Sequence, residues 1–306
     1  MTDFKELSVA IPAFNEEEGI LLVIQNLTKN LPGAEIIVVN DGSDDLTEQN
    51  AIREGKKHKN VKIYSHIFNR GYGAALKTGM KNSTRKYIAW FDSDNEHKVS
   101  DLINIYDIIR SKKVACVISQ RTNRSGTVIR GVGKWLIRML ARSLHINAGK
   151  DLNCGLRIFR RDIILNYVDV LPERYSASLT STFLMVESGY PIEYYPITLL
   201  PRIGASKVKL KDGFFAINKV LHLIMLLAPM RIFYQSGFVS LLIGFIYSFH
   251  QAFSQHEGFP VAGLVLIFSG FLLCAMGLLA DQISSIRMSQ FVKPDSLTVK
   301  KHSDPE

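Results

Sequence analysis

The residues Tyr87-Ile88-Ala89-Trp90-Phe91 form an apolar run that breaks directly into Asp92-Ser93-Asp94-Asn95-Glu96-His97. A short β-favouring run bounded by turn residues reads as a buried strand. The carboxylates at its end are then delivered to the rim of a sheet, where open α/β folds take up ligands. If the strand continues, Asp92 and Asp94 share one face. If Ser93 and Asn95 turn the chain, both acids and Glu96 curl around one point. Hard oxygen donors of this kind suit Mg2+ or Mn2+, which complete their shells with water and phosphate oxygens. A solvated cap for the next helix accounts for the same acids equally well, so the neighbours decide.

Leu7 to Ile11 reads as a first strand stopped by Pro12. Asn15 then caps a helix carrying Ile20, Ile24 and Leu27, with Glu16, Glu17 and Glu18 in its first turn. Ile36 to Val39 is a continuous apolar run, as in a parallel strand covered on both faces, and it ends at Asn40-Asp41-Gly42-Ser43 before a polar helix. A third strand, Val61 to Tyr64, leads to Asn69-Arg70-Gly71-Tyr72-Gly73. Its two glycines point to close packing at a helix start, and Lys77 follows as a candidate phosphate contact. After the acidic turn come a helix over Asp101 to Arg110, a strand Val114 to Ser119 ending at Arg121, and a short strand after Asp151. Strands alternating with helices specify an α/β class with an open, mainly parallel sheet.

The chain has 306 residues and a net charge of +9, which favours anionic partners. Arg130, Lys134, Arg138 and Arg142 recur every fourth residue along a helical pattern, with Trp135 and Met139 between them. That stripe is either a solvated face or a surface for anionic headgroups and phosphate. The three scattered cysteines indicate neither a disulfide framework nor a zinc site. Residues 201–207 have the composition of a lid over phosphate. Phe214 to Met230 fits an interfacial helix, whereas Phe233 to Phe253 and Phe259 to Ala280 each approach the ~20 apolar residues that cross a bilayer. The short connection between them lacks Lys and Arg, and basic residues flank the pair. The positive-inside rule therefore puts both termini and the sheet domain in the cytoplasm. The expected division is 1–212 catalytic, 213–231 juxtamembrane, 232–282 a transmembrane hairpin and 283–306 a tail.

Taken in order, Val9-Ala10-Ile11-Pro12-Ala13-Phe14-Asn15-Glu16, Val39-Asn40-Asp41-Gly42-Ser43, Asn69-Arg70-Gly71-Tyr72-Gly73, Asp92-Ser93-Asp94 and Ser119-Gln120-Arg121 resemble the family 2 glycosyltransferases of GT-A fold. Asp151-Leu152-Asn153-Cys154-Gly155-Leu156-Arg157 and Arg202 to Lys207 narrow the likeness to the polyprenyl-phosphate glycosyltransferases. The likeness covers about residues 7 to 210. It implies that Pro12, Phe14, Glu16, Val39 and Asp41 hold the nucleotide, with Ser93 beside the donor. It further implies that Asp92, Asp94 and Glu96 bind the metal and diphosphate, and that Arg202 and Lys207 close on the donor. Arg121, with Arg130, Lys134 or Arg138, would meet the acceptor phosphate. The implied partners are a nucleotide sugar, a polyprenyl phosphate and the bilayer, without nucleic acid; homo-oligomerisation stays open.

This chain departs from the family's usual pattern at Phe14, where a Tyr is common, and at Glu96, where a Gln is common. The helix from Ser178 to Val186 also lacks an acid. The expected reaction is transfer of one hexose: an ionised phosphate oxygen attacks without a general base, and the direct displacement implies inversion at the anomeric carbon. The rivals are a processive polysaccharide synthase, whose usual Q-x-x-R-W motif is missing here, and a membrane-anchored scaffold that binds nucleotide sugar without turnover.

Overall fold

The structure, a computed structural model, describes residues 3–122, 151, 154–174, 177–200, 225, 229–254 and 260–289. The expected helix over Gly131 to Leu144, the loop 201–207 and most of the interfacial segment lie outside the described residues, and with them Arg130, Lys134, Arg138, Arg142, Arg202 and Lys207.

Seven strands form one sheet: β1 Leu7–Ala13, β2 Glu35–Asn40, β3 Val61–Ser65, β4 Tyr87–Trp90, β5 Cys116–Arg121, β6 Arg157–Arg160 and β7 Ile192–Ile197. Their spatial order is β3-β2-β1-β4-β6-β5-β7, parallel except that β6 runs antiparallel between β4 and β5. The helices beside it are α1 Gly19–Asn30, α2 Thr47–Gly55, α3 Tyr72–Lys81, α4 Val99–Lys112 and α5 Ala177–Glu187. Helices on both faces explain the uninterrupted apolar run of β2. Ile36 and Val38 enter the main core with Val9, Ile11 and Ile24, while Ile37 and Val39 pack with Ala75 of α3.

Two sequence expectations are corrected here. Pro12 does not stop β1, which continues to Ala13 and pairs Pro12 with Val39. Its neighbour β4 pairs only as far as Ala10, so the missing N–H falls beyond the end of that ladder, where proline is tolerated. Nor does Asn15 cap α1: it takes a left-handed φ of 51°, the helix starts at Gly19, and its first turn contains no acid. Asn15, Glu16 and Glu17 instead tie the β1–α1 loop to the β2–α2 loop. Asn15 N–H donates to Ser43 Oγ (3.0 Å) and Glu16 N–H to Thr47 Oγ1 (2.8 Å), while Glu17 Oε2 accepts from Leu46 N–H (3.1 Å). These crosslinks satisfy backbone donors that a helix would otherwise have used.

A second compact unit contains α6, Pro229–Ser254, and α7, Val261–Ser289. Ile232–Phe253 and Val261–Ile286 are each long and apolar enough to cross a membrane, the latter running further than the expected Ala280. Small residues bring the two helices together: a Cβ on Gly263 would stand 2.0 Å from Ser248 Oγ, and one on Gly270 2.6 Å from Leu241 Cγ.

Candidate active site

β4 ends at Trp90, so Asp92 and Asp94 do not alternate along a strand; they sit in a turn in which Asn95 takes a φ of 60°. The turn is fixed from below. Ser93, itself buried, donates its hydroxyl to the Pro12 carbonyl (2.9 Å), and α1 begins against the Ser93 carbonyl at Gly19, where a Cβ would come within 2.4 Å. The Ser93 hydroxyl therefore braces the turn.

Asp92 is gripped at both oxygens. Tyr72 Oη donates to Oδ1 at 2.9 Å, and His97 Nε2 lies 3.3 Å from Oδ2. Gly155 leaves room for this carboxylate, since a Cβ there would fall 2.0 Å from Oδ2. Burial works to raise the Asp92 pKa, but the hydrogen bonds from His97 and Tyr72 and the nearby Arg121 charge hold it below the ordinary carboxylate range. Asp92 is thus held as an anion. Burial and the facing Asp92 push the Tyr72 phenol well above its usual value, so it stays a donor.

Asp94 Oδ1 accepts from Glu96 N–H at 3.2 Å. Among the described residues no three His, Cys, Asp or Glu side chains converge into a ready-made metal cluster, so Asp92, Asp94 and Glu96 do not form a preassembled triad. Two carboxylates at a strand end nonetheless fit Mg2+ or Mn2+, which take one or two protein carboxylates and fill the remaining positions with water and substrate phosphate.

The other expected site residues divide. Asp41 is buried and spends its carboxylate on the loop after β3: Oδ1 meets His66 Nδ1 (2.6 Å) and Arg70 N–H (3.1 Å), and Oδ2 accepts from Gly71 N–H (2.7 Å). Val39 is fully buried beneath α3, so its side chain belongs to the core and not to the rim. Lys77 reaches the Asp169 carbonyl at 3.5 Å instead of the acidic turn. Arg121 forks onto Asp151, with Nε to Oδ2 at 2.5 Å and Nη2 to Oδ1 at 2.8 Å. Burial opposes its charge, but the Asp151 bonds more than restore it and raise its pKa.

Sequence reasoning gave no role to Tyr72, His97, Asp151, Gly155 or Arg157. All lie within stretches it singled out, yet nothing in their spacing reveals their partners. Arg157 is fully buried and makes no ion pair among the described residues. It donates to the Ser178 carbonyl (2.6 Å), Ser181 Oγ (2.9 Å), Thr182 Oγ1 (3.1 Å) and the Cys154 carbonyl, and lies 5.5 Å from the Trp90 ring centroid. Carbonyl and hydroxyl dipoles of α5 thus hold the charge of Arg157, with no acid between Ser178 and Val186. Burial pushes the Cys154 thiol up to about 11 and Cys116 to about 12, which leaves neither as a nucleophile.

Residues 8–167 match the Glycosyl transferase family 2 model, and residues 228–286 match the GtrB C-terminal hairpin. The undecaprenyl-phosphate 4-deoxy-4-formamido-L-arabinose transferase of Pectobacterium atrosepticum is 27% identical over 95% of this chain and 92% of its own length. The dolichyl-phosphate beta-glucosyltransferase of Saccharomyces cerevisiae is 28% identical over 63% of this chain and 66% of its own length. In fold, the chain resembles the glucosyl-3-phosphoglycerate synthase of Mycobacterium tuberculosis, crystallised with Mg2+ and UDP. The TM-score is 0.57 at 21% identity, over 72% of this chain and 78% of that one. With an acidic turn at the end of a central strand, a mixed sheet of this order and an apolar C-terminal helix pair, the chain belongs to glycosyl transferase family 2.

Proposed function

We propose that this protein transfers one hexose from a UDP- or GDP-linked donor to a polyprenyl phosphate at the cytoplasmic face of a membrane, inverting the anomeric centre. The observation that carries the reading is the braced acidic turn, in which Asp92 is kept ionised and oriented at a sheet rim beside Asp94. The relatives named for polyprenyl-phosphate sugar transfer and the hairpin match support the acceptor class.

A divalent cation bound through Asp92 and Asp94 would neutralise the donor diphosphate and assist its departure. The protein's own part is alignment and charge. Asp92 and Asp94 would hold that cation, and Arg121, oriented by Asp151, would meet a phosphate. An oxygen of the ionised acceptor phosphate forms a bond to the anomeric carbon while the bond from that carbon to the diphosphate oxygen breaks. No proton need move, so the thiols and the engaged Asp41 carboxylate are not needed as bases. Arg130, Lys134 and Arg138 serve the acceptor phosphate in this reading, and Pro12, Phe14, Glu16, Arg202 and Lys207 the donor.

The test is transfer of labelled sugar from a panel of UDP- and GDP-sugars to undecaprenyl phosphate by the detergent-purified protein with Mn2+ or Mg2+. Label is expected in the lipid phase from one donor, and Asp94→Asn is expected to abolish it. A polymeric product, or metal-dependent nucleotide binding without transfer across the panel, overturns the proposal.

A further inference from the structure

Asp41 and Asp92 stand at the ends of different strands, β2 and β4, yet one short stretch of chain is bonded to both. Arg70 and Gly71 direct their backbone N–H groups onto the Asp41 carboxylate (3.1 and 2.7 Å), and the next residue, Tyr72, directs its hydroxyl onto Asp92 (2.9 Å). The stretch has little freedom. Gly71 takes a φ of 111° and Gly73 packs so tightly that a Cβ would stand 1.9 Å from the Pro172 carbonyl. Ala74 N–H donates to the Glu173 carbonyl at 2.6 Å, and Gly73 N–H to the Arg174 carbonyl at 3.0 Å. One rigid segment is thus hydrogen-bonded to both carboxylates.

Resting on the functional reading above, we infer that Tyr72 is a positioning residue that couples the β2 end of the site, where its backbone neighbours hold Asp41, to the cation end, at Asp92. It touches neither reacting atom. Its hydroxyl holds Oδ1 of Asp92 so that the carboxylate meets the cation already oriented, and the neighbouring backbone relays the state of the β2 end. Partners that orient a metal-binding carboxylate typically change cation affinity by about 10–100-fold when removed. By linkage, what the cation does for nucleotide affinity must be returned by the nucleotide to the cation.

The experiment is calorimetric titration of UDP and of GDP, each with and without Mn2+, into the full-length protein and into Tyr72→Phe. This substitution removes one oxygen and leaves the ring in place. Nucleotide affinity without Mn2+ is expected to stay within about twofold, and the enhancement produced by Mn2+ to fall about tenfold. A Mn2+ titration monitored by electron paramagnetic resonance is expected to show a matching loss of cation affinity. Melting temperatures that agree within error exclude a general loss of fold; if they diverge, Tyr72→Phe compared with Tyr72→Leu separates hydroxyl from ring, and a Mn2+ enhancement lowered alike in both still supports the inference. An enhancement retained in Tyr72→Phe while the unaltered protein shows it overturns the coupling and leaves the functional reading intact. Absence of any Mn2+ effect in the unaltered protein overturns both.

Discussion

At the scale of single residues, the site is defined less by which groups are present than by what holds them. Asp92 and Arg121 are each restrained by a partner far away in sequence, 20 residues for Tyr72 and 30 for Asp151. Arg157 is the clearest case, because its charge is neutralised by dipoles and a ring face instead of an acid. A guanidinium can fork onto several acceptors at once, whereas an ammonium concentrates its charge at one point. Arg157→Lys is therefore expected to leave buried acceptors, the Cys154 carbonyl foremost, short of a donor. It should destabilise the catalytic unit by about 2–3 kcal/mol, read as a lowered denaturant midpoint with unchanged slope. Conversely, an unchanged midpoint would mean that the four acceptors are satisfied without the fork.

At the scale of elements, glycine decides how closely pieces approach. Gly19 lets α1 start against the acidic turn, and Gly155 lets the entry to β6 pass the Asp92 carboxylate. In the apolar hairpin, Gly237, Gly244, Gly263, Gly270 and Gly277 lie where α6 and α7 meet, while Phe238, Phe245, Phe249, Phe268 and Phe271 are exposed. Between helices in lipid there is little hydrophobic drive, so close van der Waals packing of small residues holds the pair. Gly270→Ile, which would meet Leu241 and the Gly237 carbonyl, is expected to cost about 1–3 kcal/mol. The measurement is the thermal stability of the detergent-solubilised protein, with Phe271→Ile, on the exposed side, as a substitution expected to change little.

At the scale of the whole molecule, the chain separates into two compact units, the sheet with its helices and the apolar hairpin. In the proposed reading, nucleotide and cation contacts belong to the first and membrane residence to the second. A chain ending at residue 212 is expected to keep Mn2+-dependent nucleotide binding and to lose transfer to polyprenyl phosphate embedded in bilayers. Retained transfer at full rate would show that the hairpin is dispensable for meeting the acceptor. Much of this organisation was legible in local pattern. The apolar run of β2, the acid-ended β4 and the two long apolar stretches depend on periodicity, length and turn residues, all of which operate over a few neighbours. The misread start of α1 also had a local cause, since Asn15 and the glutamates carry helix-start chemistry that the β2–α2 loop claimed instead. By itself, then, the sequence determined the class of fold, the order of its strands and helices along the chain as far as β6, and the place of the carboxylates at strand ends. Only the tertiary structure decided that β6 inserts antiparallel between β4 and β5, that Asp41 is committed to its own loop, and that Tyr72, His97 and Asp151 hold the charged groups. Those outcomes turn on distances between residues tens of positions apart, which are set when both faces of the sheet are covered and buried polar groups must find partners.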